Sequence, residues 1–431
     1  MYSQTLTAQL PAVEQHPRFS ITLAFANVLM LATIVGQAFE TDYPFFVQIN
    51  RAVGISLIVV FLLFHFPKQL RLAPELWLLG LFTLWGLFIS MPRAVDMYAA
   101  WDEGFRSIQI WALAFAVVGV TFAKRNMSFS FIIFIVCAAV LAIEGRITGD
   151  YALAMETRTT ARVDTVVGNA NSFGMLVLLG LMGLAYFWEA KGKAWTRLLI
   201  LPVSVPLLLA LVATGSRKSF ALLAAFFLAW LWFCYGRQLR RKPQAIITII
   251  IVLIGMGVLT SYMYHETYMG ERFRESVDQG GLDDTRTGMY KRGFELFTEH
   301  PIAGIGLGQF RIVSGFGHYS HSDYIEILCS TGLVGFLLYF PIYVILLLRL
   351  HRLGKATTDP RIRYNVGLFK AIVLTILALG IGAPTFGSVF IWFTLASIIG
   401  VTYCWDRDRK AAISQPVRRG AVRYVRRPAT G

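Results

Sequence analysis

Charge is what this sequence has least of. Only 15% of its 431 residues are Asp, Glu, Lys or Arg, while 56% are hydrophobic; an average soluble chain carries roughly a quarter charged residues. A water-soluble globular fold is excluded on that balance. Cysteine is scarce too. Cys137, Cys234, Cys329 and Cys404 fall inside or at the edges of apolar runs with no paired spacing, which excludes a disulfide framework and a cysteine metal site. The chain also lacks a Walker loop, a glycine-rich dinucleotide fingerprint and an HExxH pair. No cofactor is expected, and any energy for a reaction must arrive with the substrate. Asp406-Arg407-Asp408 spells a DxD, but two letters in a basic tail do not make a metal site, and none is expected.

What is present is a series of apolar runs. Runs of about 17 to 25 residues read as membrane-spanning helices, and about twelve are found. They lie near Ile21–Phe39, Ala52–Phe66, Glu75–Met91, Ser107–Ala123, Phe129–Ile143, Ser172–Trp188, Leu198–Ala213, Ser219–Tyr235, Gln244–Tyr264, Thr331–Leu348, Val366–Ile381 and Phe386–Cys404. The first is too long and has too many successors for a cleavable signal. The expected fold is an all-α polytopic membrane protein with one large external loop containing short helices. Residues 1–264 form spans one to nine, 265–330 the external loop, 331–404 spans ten to twelve, and 405–431 a basic tail.

Charge sidedness fixes the expected orientation. With the N-terminus in the cytoplasm, 25 of the 40 lysines and arginines fall in cytoplasmic loops and termini and 14 outside, which the positive-inside rule favours. The 265–330 interval then faces outward, which in a Gram-negative cell is the periplasm. The net charge of +15 is assigned to anionic lipid headgroups and not to nucleic acid.

Four stretches are candidates for more than spanning. Pro92–Arg106, with Asp96, Trp101, Asp102 and Glu103, suits a helix lying in the outer interface. Gly168-Asn169-Ala170-Asn171-Ser172 either caps the next span or turns its amides toward a polar cavity. Thr214-Gly215-Ser216-Arg217-Lys218 is a tight turn in which Gly215 permits the bend and Ser216 caps the next helix. Arg217 then sits at the positive end of a helix, where a cation wants an anionic partner; Lys218 is assigned to interfacial snorkelling.

The longest interval that cannot enter a bilayer is His265–Ser330. Within it, Asp284–His300 has helical periodicity, with Met289, Gly293, Leu296 and Phe297 on one face and Arg286 on the same side. Pro301 stops that helix, and the Gly304–Gly308 glycines require irregular backbone. Ser320-His321-Ser322-Asp323 fits a capping box, which puts His321 in the first turn of a helix running through Gly332 into span ten. The helix dipole disfavours its cationic form, and neutral imidazole is what a general base requires.

The run Gly288–Phe310, followed by His321-Ser322-Asp323-Tyr324-Ile325-Glu326-Ile327-Leu328 and Thr331-Gly332-Leu333-Val334-Gly335, resembles the signature of the O-antigen ligase and polymerase superfamily. There an arginine-bearing helix leads to a Pro-x-x-Gly-x-Gly segment and a His-Asn/Ser-x-x-Leu helix ending in Gly-x-x-Gly. Ser322 stands where asparagine is common and Ile325 where leucine is. The Gly168–Asn171 and Thr214–Arg217 stretches resemble two further recurrent ones, so the likeness covers about 155–345.

This resemblance implies transfer of a glycan from undecaprenyl diphosphate to an acceptor hydroxyl, outside the bacterial inner membrane and without a metal. The donor would be a lipid-linked glycan, and the acceptor lipid A-core or, for a polymerase, another lipid-linked repeat. A leaving diphosphate needs cations, and the arginine fork suits phosphate oxygens. Arg217 and Arg286 are the first candidates, with Arg292, Arg162 and Arg158 behind them, and His321 is the expected catalytic base. A protein O-glycosylating transferase and a secondary transporter are the remaining readings. The transporter is disfavoured because Lys370 alone approaches a midplane charge.

Overall fold

The computed structural model describes residues 21–38, 52–56, 73–125, 127–148, 170–190, 194–236 and 284–414, with isolated positions at 59, 250, 257, 261, 264, 265, 270 and 274. Among them every regular element is helical and there is no strand. The labelled helices are α1 (Ile21–Ala38), α2 (Pro74–Trp85), α3 (Met97–Lys124), α4 (Ser128–Ile147), α5 (Ala170–Ala190), α6 (Ala194–Ala213), α7 (Arg217–Trp230), α8 (Asp284–Glu299), α9 (Phe310–Val313), α10 (Asp323–Tyr339), α11 (Pro341–Ala356), α12 (Pro360–Gly382) and α13 (Val389–Ser414). A π-helical turn, Gly86–Ser90, extends α2, and another, Leu231–Tyr235, extends α7.

Eight helical segments are long and apolar enough to cross a membrane, and Ala24–Ala38 and Pro202–Ala213 are shorter apolar helices. Together they match ten of the expected spans. Most of Ala52–Phe66 and Gln244–Tyr264 lies outside the described residues. In lipid every backbone N–H and C=O must be satisfied within the protein, which is why these segments are helical. Association then rests on close packing, which small residues permit. A Cβ on Gly400 of α13 would lie 2.6 Å from the Val118 carbonyl of α3, so the two backbones nearly touch. The main core is an apolar cluster running from Ala26 to Val401, and a smaller one of Met289, Leu296, Ile305, Phe310 and Cys329 lies under α8.

Two expectations about element boundaries are corrected. Pro92–Arg106 does not hold a separate interfacial helix: α3 starts at Met97 and runs unbroken to Lys124. The Asp96 carboxylate caps it, accepting from Tyr98 and Ala99 N–H at 2.9 and 3.0 Å. Tyr98 and Trp101 remain exposed, but Glu103 is 4% exposed and faces inward. The second correction concerns span ten. The helix from Asp323 does not run straight, because Gly332 breaks it at φ 70°, ψ −171°.

That break is compensated by bonds from elsewhere in the fold. Ile305 N–H donates to the Cys329 carbonyl at 2.9 Å and Gly306 N–H to Ser330 at 3.0 Å, while the Trp85 indole donates to Thr331 at 2.9 Å. In return, Leu333 N–H reaches the Pro301 carbonyl at 2.8 Å. The glycine-rich segment after Pro301 is therefore laid across an opened helix, each supplying what the other leaves unpaired. Only glycine fits there. At Gly304 (φ 69°) a Cβ would lie 2.4 Å from the Ser330 backbone, and at Gly332 2.3 Å from the Ile302 carbonyl. Buried Gln309 ties the segment to the start of α3, donating to the Asp96 carbonyl and accepting its N–H, both at 2.9 Å.

Candidate functional site

The fold brings six separated stretches to one end of the bundle. A cavity of about 370 Å³ is lined there by Gln37, Glu103, Arg106, Asn171, Ser172, Met175, Lys218, Tyr319, His321, Leu379 and residues 383–390. The end of α1, the beginnings of α3, α5 and α7, the segment before α10 and the α12–α13 connection all contribute. Each belongs to a region assigned to one side by charge count, as strict alternation of spans requires.

His321 is half-buried in this wall, but not in a helix. The first turn of α10 begins at Asp323 with Ser322 as N-cap, so His321 lies just outside it. Its backbone is left-handed, φ 57°, a conformation that costs a non-glycine residue about 1 kcal/mol and persists only where neighbours enforce it. The expected capping box does not form. Ser322 makes no side-chain cap bond, the Ser320 hydroxyl donates to the Ser322 carbonyl at 3.1 Å, and Asp323 is drawn elsewhere: Thr385 N–H, the Thr385 hydroxyl and, at 3.0 Å, Phe386 N–H donate to its carboxylate.

Two further carboxylates hold the same segment. Glu326 accepts from Ser320 N–H at 2.8 Å, and the Tyr319 hydroxyl donates to Glu103. The Arg311 guanidinium lies 5.3 Å from the centre of the Tyr319 ring, within cation–π range. Burial first, then the negative charge of Glu103, pushes the Tyr319 phenol well above its ordinary pKa, so it remains a donor.

The cations fall out differently from the expectation. Arg106 and Lys218 line the cavity with His321. Lys218, assigned to snorkelling, instead donates from Nζ to the Gly382 carbonyl at 2.8 Å. Arg217 is the first residue of α7, half-buried and outside the lining. Gly215 does take positive φ, 57°, and Ser216 caps α7 by accepting Ser219 N–H. The Ser216 hydroxyl also donates to Asn171 at 3.1 Å, which joins the two polar turns; Asn169 lies outside the described residues.

Arg286 and Arg292 belong to α8, whose expected bounds hold to one residue. Its inward face is as patterned, with Met289 and Leu296 4% and 3% exposed. Arg286 is exposed and does not line the cavity, yet one turn along, the Tyr290 hydroxyl donates to Ile381 beside the cavity wall at 2.9 Å. Arg292 is engaged on the outer face with Glu295 and Glu299 at 3.2 and 3.6 Å. Arg158 and Arg162 lie outside the described residues. His318 is exposed, and His300, also exposed, follows the last residue of α8.

The lining residues that sequence reasoning passed over are Arg106, Lys218, Tyr319 and the 383–390 connection. The only signal for Arg106 was its place one turn beyond Asp102 and Glu103. Nothing in the sequence singled out Thr385. Among the described residues no group of three or more His, Cys, Asp or Glu converges as metal ligands would. Asp406 pairs with Arg409 and Lys410 at 2.8 and 3.0 Å, and Asp408 with Arg125 at 2.8 Å, so both acids of the DxD serve ion pairs.

These features define an all-helical, multi-span membrane protein with a polar, cation-bearing cavity at one end of its bundle. The family model described as O-antigen ligase matches residues 202–340. The match takes in about a third of the chain, and α8, the glycine segment and His321 all lie inside it. No curated protein matches the chain.

Proposed function

We propose that the protein is an O-antigen ligase that transfers a glycan from undecaprenyl diphosphate to a hydroxyl of lipid A-core, at the periplasmic face of the inner membrane. The acceptor oxygen attacks the anomeric carbon as the bond from that carbon to the diphosphate oxygen breaks. The hydroxyl proton passes to His321, and undecaprenyl diphosphate leaves with the bonding electrons. Attack from the face opposite the leaving group inverts the anomeric centre. A positioned general base contributes about 10²- to 10⁴-fold. Arg106 and Lys218 receive the diphosphate within the cavity, and Arg217 and Arg286 act from its rim, where guanidinium forks suit phosphate oxygens. Arg292, Arg158 and Arg162 are secondary candidates for the same anion.

The single observation behind this reading is the convergence, on one cavity of about 370 Å³, of His321 with Arg106 and Lys218. The test is deletion of the gene followed by electrophoresis of the cell's lipopolysaccharide. Loss of every ladder band, with lipid-linked polymer accumulating, is expected for a ligase. Core bearing a single repeat would instead identify the polymerase activity, in which a second lipid-linked repeat is the acceptor.

A further inference from the structure

Three buried carboxylates close on the five residues that carry His321. Glu103, Glu326 and Asp323 are 4%, 1% and 3% exposed. Glu103 accepts from Tyr319 and Glu326 from Ser320 N–H, gripping the segment upstream of the histidine. Asp323 grips it downstream. Its bonds run to Thr385 and Phe386, and both partners are in the α12–α13 connection that lines the same cavity. This carboxylate alone of the three ties the histidine's segment to that connection. A place has been left for it: a Cβ on Gly380 of α12 would lie 2.9 Å from Asp323 Oδ2.

We propose that Asp323 is a positioning residue, which sets the distance between the His321 imidazole and the acceptor hydroxyl by fixing the start of α10 to the 383–388 wall. Its three donors come from two adjacent residues and leave the carboxylate little freedom. Two residues upstream, the left-handed backbone of His321 has no helix of its own to hold it. Release of the Asp323 anchor frees both the backbone strain and the wall. A displacement of about 1 Å in a reacting group costs about 10²-fold in rate, so the anchor acts on the chemical step without touching substrate.

The inference rests on His321 as the general base. Its test uses the purified full chain in lipid nanodiscs with lipid-linked glycan donor and lipid A-core acceptor, reading kcat and KM separately. Asp323→Ala is expected to lower kcat about 10- to 100-fold with KM for the donor held within about twofold. Asp323→Asn is expected to recover to within about threefold of wild type, since its carbonyl still accepts the N–H bonds and its amide donates to the Thr385 hydroxyl. Thr385→Val, which removes one of the three donors, falls between. In a His321→Ala background, Asp323→Ala should remove nothing further. The proposal is overturned by a wild-type kcat for Asp323→Ala, by an Asn variant as defective as Ala, or by an equal fractional loss in the His321→Ala background. If Asp323→Ala fails to fold, the Asn and Thr385→Val variants decide the matter by the same criteria. A wild-type rate for His321→Ala sinks the general-base reading itself, whereas an inactive His321→Ala beside a fully active Asp323→Ala sinks only the positioning role.

Discussion

The two ends of this helical bundle treat charge in opposite ways. At the end holding the start of α2, acids meet bases. Glu75 and Arg349, 0% and 5% exposed, pair at 2.7 Å, Arg125 meets Asp408 at 2.8 Å and Arg197 meets Glu189 at 3.1 Å. At the cavity end, buried Glu103, Asp323 and Glu326 accept from hydroxyl and backbone N–H groups, and Lys218 donates to a carbonyl. The hydrogen bonds of these carboxylates are spent on the segment that carries His321 and on the wall opposite it. One end is thereby locked by ion pairs, and the other uses its acids to hold the wall of the cavity.

Substitutions can break this contrast. The largest effect is expected from His321→Ala: transfer falls by about 10²- to 10⁴-fold with no loss of folded protein, checked by turnover and by size-exclusion elution in detergent. Glu75→Ala should do the reverse. Leaving Arg349 buried without its partner costs about 3–5 kcal/mol, read as a lowered unfolding temperature, while the chemistry of the surviving folded fraction is unchanged. Replacement of the pair by Leu and Met together should recover most of that stability, because each charged group is only partly satisfied: Glu75 Oε1 and Arg349 Nη1 have no hydrogen-bond partner among the described residues.

Smaller effects sharpen the cavity side. Arg106→Ala or Lys218→Ala should raise KM for the lipid-linked donor about tenfold, a loss of roughly 1.4 kcal/mol in anion binding, with binding of the acceptor little changed. For Arg217 and Arg286, a lysine in place of arginine should rescue poorly because it lacks the fork; full activity would reduce their part to simple charge. The smallest change is expected from Gly380→Ala. The new methyl meets the Asp323 carboxylate at 2.9 Å, so transfer should fall severalfold although alanine is the better helix former by about 1 kcal/mol. Unchanged turnover there would mean that the anchor tolerates displacement.

The elements most legible in advance were those governed by local chemistry. Asp284–Glu299 was bounded by its apolar spacing and by Pro301, and Gly215 and Ser216 by turn and cap preferences. Reading failed where the partner of a side chain lay far along the chain. Ser320 and Asp323 have capping-box spacing, but Asp323 finds better donors at Thr385, 62 residues away, and the helix start moves past His321 as a result. Gly332 looked like a helical residue because nothing local says that Pro301, Ile305 and Gly306 will replace the hydrogen bonds it forfeits. Lys218 read as a snorkelling residue for the same reason, its acceptor being at Gly382.

The sequence by itself determined that the chain is helical, that its helices are long and apolar enough for a bilayer, and that a histidine and several arginines lie in polar connections. Those follow from transfer free energies and from backbone hydrogen bonding, which act over one or two turns. Only the tertiary structure decided which of the cations share a cavity with His321 and which carboxylates hold its segment. Those choices rest on donors and acceptors brought together by packing between helices, over separations that no local pattern encodes.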